Sequence, residues 1–156
     1  MKIYIKNALM ALVCAVMAVS VLTGCKKESA EKNELRGTQW VAILEYDEEI
    51  EWSLATSCTL TFDDKVTLKA NIMWYEVAVS FSYDYDKPAV TFSNGELVLD
   101  GDSAIVWALI AQESDISLSE IQAKLKQFTF TATVVGNTLV FPEDFFDGNL
   151  VFTKVK

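Results

Sequence analysis

The sequence predicts a mainly β domain, an antiparallel meander that closes as a barrel or a strongly curved sheet, with a short helical insertion around residues 103–127. Three observations carry this expectation. Residues 74–85 (WYEVAVSFSYDY) alternate with period two for twelve positions, placing Tyr75, Val77, Val79, Phe81, Tyr83 and Tyr85 on one face. Short apolar-alternating segments on either side of it are separated by tight-turn residues, among them Asp63-Asp64 and Gly136-Asn137. Only between about residues 103 and 127 does the texture change to a helical one.

Taken in order, residues 26–34 (KKESAEKNE) are charged and lack aromatic or β-branched side chains, the composition of a flexible tether. Residues 39–46 (QWVAILEY) are rich in strand-forming side chains. Residues 56–62 and 66–70 both alternate across the acidic Asp63-Asp64 turn and predict a hairpin. After the long strand, Asp86-Lys87-Pro88 turns the chain; residues 89–93 and 96–99 then predict a second hairpin around a type I′ Asn94-Gly95 turn. Residues 104–111 (AIVWALIA) are apolar throughout; a buried helix capped by Asp102 or Ser103 is favoured over a core strand. Ser117-Leu118-Ser119-Glu120 has the form of a capping box. Leu118, Ile121 and Leu125 share one face of the helix it opens, and Lys124 and Lys126 suit the negative end of its dipole. Residues 128–135 and 138–141 predict a further hairpin, and 149–155 a final strand, for eight or nine strands in all.

Residues 1–24 carry a separate signal. Lys2 and Lys6 precede an almost wholly apolar run, 8–22, that ends in small residues, the architecture of a secretory signal peptide. As a helix, fifteen residues rise about 22 Å, short of the roughly 30 Å hydrocarbon core of a membrane. Leu22-Thr23-Gly24-Cys25 resembles the bacterial lipobox, which implies that the Cys25 thiol is diacylated and becomes the mature N-terminus. Two or three acyl chains, at about 0.8 kcal/mol per buried methylene, anchor a protein durably where one does not. Lys26 stands where enterobacterial lipoproteins retained in the inner membrane carry aspartate, so the resemblance implies an outer-membrane anchor. The expected organisation is a signal at 1–24, a tether at 25–34 and a single β domain at 35–156.

Composition excludes several chemistries. Lys2 and Lys6 leave with the signal, so 11 of the 13 basic residues face all 22 acidic ones in a mature chain of formal charge −11. Such a surface repels phosphate backbones, and nucleic-acid binding is not expected. The chain has no histidine, which removes the Ser-His-Asp and Cys-His catalytic sets and the usual zinc sites. Once Cys14 leaves with the signal and Cys25 is acylated, Cys58 has no disulfide partner; its place in an alternating segment reads as a small buried residue. The acidic run Glu45, Asp47, Glu48, Glu49, Glu51 lacks the glycine turn and ligand spacing of a calcium loop and reads as a solvated loop. No enzyme activity, metal or cofactor is expected. Trp52, beside that run, is a candidate surface contact, and Tyr75, Phe81 and Trp107 are candidate ligand-lining aromatics.

Leu35-Arg36-Gly37-Thr38-Gln39-Trp40, the meander, Val135-Gly136-Asn137-Thr138-Leu139-Val140-Phe141 and Asn149-Leu150-Val151-Phe152-Thr153-Lys154 together resemble the lipocalin-like (calycin-type) small lipoproteins of Gram-negative bacteria, over most of residues 35–156. The resemblance implies a lipocalin-like barrel in which Trp40 lies across the closed end and Lys154, from the last strand, covers it. This chain has Gly-x-x-Trp where that family has Gly-x-Trp, and lysine where arginine is usual. The helix, Gly-Asn-x-Leu and terminal Leu-x-Phe-x-Lys also resemble META-type domains of bacterial outer-membrane proteins. Two functions follow as expectations: a lipid-anchored barrel that binds a small apolar or aromatic ligand, or a structural or protein-interaction module of the envelope whose barrel is filled. The apolar segment 104–111 discriminates between them.

Overall fold

A computed structural model describes residues 32–43, 55–72, 75–142 and 150–156. Eight strands, β1 (Gln39–Ile43), β2 (Ala55–Phe62), β3 (Val66–Ile72), β4 (Tyr75–Asp86), β5 (Ala89–Leu97), β6 (Phe130–Val135), β7 (Thr138–Val140) and β8 (Val151–Lys154), follow one another around a closed antiparallel barrel. Closure is made by β8 on β1, with Trp40 opposite Lys154 and Val41 opposite Thr153. Every strand then has two neighbours, which leaves no sheet edge along the paired stretches. The period-two pattern of β4 behaves as its sequence predicts: Val77, Val79, Phe81, Tyr83 and Tyr85 are buried, and Ser80, Ser82 and Asp84 are not. Ala78 is the exception on the outer face, buried because a helix covers it.

Among the described residues three helices accompany the strands: α1 (Lys32–Leu35), α2 (Gly101–Ser114) and α3 (Leu118–Gln127). The insertion expected around 103–127 is therefore two helices. Asp115, in the left-handed region at φ 54°, breaks them apart, and Ile116 N–H closes α2 by donating back to Ala111 O at 3.2 Å. The Ser117 capping box forms as its spacing predicts, with Ser117 Oγ accepting from Glu120 N–H and the Glu120 carboxylate accepting from Ser117 N–H.

One expectation is corrected. Residues 89–97 form one continuous strand, not a hairpin turning at Asn94-Gly95. The pair forms a bulge: Ser80 opposes Glu96 and Ser82 opposes Ser93, so Asn94 and Gly95 together oppose Phe81 alone. Asn94 takes the left-handed conformation, φ 52°, and Gly95 serves close packing, since a Cβ there would lie 2.6 Å from Leu125 Cγ and 2.8 Å from Phe81 Cε1. Residues 25–31 of the expected tether lie outside the described residues. Lys32–Leu35 forms a helical turn, and Leu35 is buried in the barrel core.

One end of the barrel gathers the β2–β3, β4–β5 and β6–β7 turns together with α1 and the C-terminal residues. Gly37, at φ 80°, steers the chain from α1 into β1, and its N–H donates to Phe62 O at 2.6 Å. Arg36 pairs with Asp64, and Lys87 with Glu34 at 3.8 Å, both exposed and of small energetic weight. Gln39 N–H bonds to Lys156 O and Val155 N–H to Gln39 O, fastening the last residues beside the first strand. The opposite end carries the α2–α3 hairpin between β5 and β6.

Candidate functional site

The interior at the level of β4 to β6 is a column of rings. Phe92 and Phe130 stack with centroids 4.6 Å apart and planes within 8°, and Phe81 meets both edge-on, at 6.1 and 5.6 Å. Phe62 meets Tyr83 edge-on at 5.0 Å and Phe92 at 6.2 Å. The column continues through Phe141, 5.1 Å from Phe130, to Phe152 at 4.9 Å. These rings come from six strands or their ends, and alternation alone aims them inward. Each such contact contributes about 0.5–1.5 kcal/mol beyond the area it buries. Phe81, a candidate ligand-lining residue, is thus occupied on its face and edges by the protein itself.

Trp107 has a different partner from the one its candidacy implied. β5 pairs with β6 only from Ala89 to Phe92, so the last residues of β5 have no strand on that side. The α2–α3 hairpin fills the gap. Gln122 on α3 acts as a stand-in for a strand: its Oε1 accepts from Leu97 N–H at 2.8 Å and its Nε2 donates to Gly95 O at 2.9 Å. Ser103 on α2 enters the β4–β5 ladder, its hydroxyl accepting from Ala78 N–H at 2.9 Å and donating to Val98 O at 2.6 Å. The Trp107 indole N–H donates to Ala78 O at 3.0 Å, and the ring is buried with Val106 and Ile110 in the single core. Tyr75, at the first position of β4, is 47% exposed at the hairpin end of the barrel. Phe81 and Trp107 are therefore core and seam residues, and Tyr75 is a rim residue. Sequence reasoning missed Ser103 and Gln122, whose polarity within apolar helix faces was the available signal.

At the other end, Trp40 is fully buried and its indole N–H donates to Thr38 Oγ1 at 2.9 Å, while Thr38 Oγ1 donates to Leu35 O at 2.5 Å. Lys154, directly across from it on β8, places Nζ 5.9 Å from the Trp40 ring centroid, a cation–π contact over the end of the barrel. Trp40 and Lys154, the pair that the lipocalin-like resemblance singles out, lie opposite one another on β1 and β8.

Cys25, Trp52 and the acidic run 45–51 lie outside the described residues. Cys58 is buried on β2, and burial pushes its thiol up to about 11, so it is neutral and unreactive at physiological pH. Burial likewise raises Tyr83, whose hydroxyl donates to Asp63 O at 2.8 Å and ties the β2–β3 turn to the barrel end. Among the described residues no three cysteine or carboxylate side chains converge as a metal site would require. The outer face of α2 is unusual in a different way. Ile105, Ala108 and Leu109 stand exposed on it, with Asp102 and Glu113 at its two ends. Comparison with family models, with curated proteins and with solved structures returned no match.

Proposed function

We propose that the protein is a lipid-anchored lipoprotein of the cell envelope whose barrel is a filled scaffold, non-enzymatic, that acts through its outer surface. The observation that carries this reading is the ring column: Phe62, Phe81, Tyr83, Phe92, Phe130, Phe141 and Phe152 pack on one another where a lipocalin-like carrier would hold its ligand. The α2–α3 hairpin adds Val106, Trp107, Ile110, Ile121 and Leu125 to the same core, which favours the filled barrel over the ligand-binding one. Among the described residues, neutral Cys58 and the dispersed carboxylates, with no histidine in the chain, leave no assembled nucleophile and base.

Acylation at Cys25 supplies the address. The described chain starts at α1 on the closed end, so the anchor would join the domain there. Six residues separate Cys25 from Lys32, a reach of at most about 25 Å at roughly 3.5 Å per residue. The hairpin end then faces away from the membrane to which the protein is tied. Purification from a Gram-negative host tests both halves. The expected result is an acylated fragment beginning at Cys25, loss of membrane fractionation in Cys25→Ala, and an organic extract with no stoichiometric apolar compound beyond the acyl chains. An unprocessed N-terminus would overturn the anchor. One equivalent of a single extracted compound would overturn the filled scaffold in favour of the carrier.

A further inference from the structure

The hairpin end carries a surface that the core does not require. Helix α2 buries Ser103, Val106, Trp107 and Ile110, which line one side of it. At about 100° per residue, Asp102, Ile105, Leu109 and Glu113 fall on the side next to it, within roughly 80° of one another. Ala108 and Gln112 flank them. All six are exposed, Ile105 by 51% and Leu109 by 44%, and Leu99, just ahead of the helix, by 54%. A surface helix ordinarily turns charged residues to water. Its neighbour α3 does so in the same hairpin, exposing Ser119, Glu120, Lys124, Lys126 and Gln127. The apolar face of α2 is therefore not a consequence of the hairpin's geometry.

The charges around that face say what it fits. Asp100 and Asp102 lie at its start, and Glu113 and Asp115 at its end, all exposed. No lysine or arginine occurs between Lys87 and Lys124. We infer that the outer face of α2 docks a cationic amphipathic helix of an envelope partner, whose apolar ridge packs on Ile105, Ala108 and Leu109 and whose lysines or arginines meet the acidic ends. This rests on the reading of the barrel as an interaction scaffold. An i, i+3, i+4 ridge is the form in which one helix packs on another. A second copy of the chain would set acidic ends against acidic ends in either orientation, and an anionic lipid surface would be repelled by the same four carboxylates.

A synthetic 18-residue helical peptide of leucine and lysine at 3.6-residue spacing is the probe. Its binding to the full acylated chain in phosphatidylcholine nanodiscs is read by fluorescence anisotropy, with empty nanodiscs as the blank. The expected result is saturable one-to-one binding, weakened about tenfold or more in Ile105→Ser/Leu109→Ser, a loss of about 1.4 kcal/mol or more. That variant keeps every charge, so general attraction of a cation to an acidic protein would survive in it. Asp102→Asn/Glu113→Gln should weaken binding several-fold and flatten its salt dependence, and the leucine–glutamate version of the peptide should not bind. Equal binding by wild type and Ile105→Ser/Leu109→Ser, or no binding by wild type, overturns the proposal. So does a wild-type dimer dissociated by those serines, which would assign the face to a second copy, or preferential binding to phosphatidylglycerol vesicles, which would assign it to lipid. None of these outcomes bears on whether the barrel is filled, which the extract decides separately.

Discussion

Ser103 shows how one hydroxyl can substitute for a length of strand. It stands between Ala78 N–H and Val98 O, where a direct ladder bond would otherwise run, and it satisfies both groups while fastening α2 to the barrel wall. Removing it leaves a buried donor and an acceptor without partners, each a desolvation cost of about 1–3 kcal/mol. Ser103→Ala should therefore lower the denaturation midpoint by an amount equivalent to about 2 kcal/mol, with an unchanged slope against urea concentration. A change below about 0.5 kcal/mol would mean that water replaces the hydroxyl. Its polarity within an apolar helix face is the one local signal, and that signal does not distinguish this role from another. Ser103 reads equally well as a helix cap, and the cap position is in fact Asp100, whose side chain makes no capping bond. Trp40 and Lys154 are more legible, because the lipocalin-like resemblance implies the pair, and β1 and β8 set them opposite one another.

At the scale of elements, the strands were read well from alternation, since every inward position is apolar regardless of its tertiary partner. Asn94-Gly95 was not, for a physical reason: the pair permits a left-handed residue, and a bulge uses that freedom as readily as a type I′ turn does. What decides is the contact of Gly95 with Leu125 and Phe81, residues 30 positions ahead and 14 behind. A side chain at Gly95 must displace α3 or the Phe81 ring. Gly95→Ala should destabilise by about 1–3 kcal/mol through overpacking, against the few tenths typical of a surface strand substitution. Thermal unfolding checks this, and an unaltered or raised midpoint would show that α3 can move without loss. Helix α2 illustrates the reverse case. Its uniform apolarity was plain in residues 104–111, but which side would be left in water depended on where β5 and β6 part.

At the scale of the whole molecule, the eight-stranded barrel has two unlike ends and a filled middle. One end is sealed by α1, Trp40 and Lys154, next to the point where the proposed lipid anchor would join; the other is roofed by the α2–α3 hairpin and presents the acid-flanked apolar face. The resemblance to lipocalin-like lipoproteins implied the closed barrel and the paired Trp40 and Lys154, but pocket occupancy is set by side-chain volumes that a pattern of spacing does not encode. The central claim is that phenylalanine side chains take the place a ligand would fill. Diffraction under xenon pressure tests it without any assumption about the ligand, because xenon enters apolar cavities of about 150 Å³ and is excluded from close-packed cores. The account predicts no xenon within the wild-type barrel and one new site in Phe81→Ala, between Phe92, Phe130 and Leu125. Xenon in the wild-type interior beside Phe81 would contradict it.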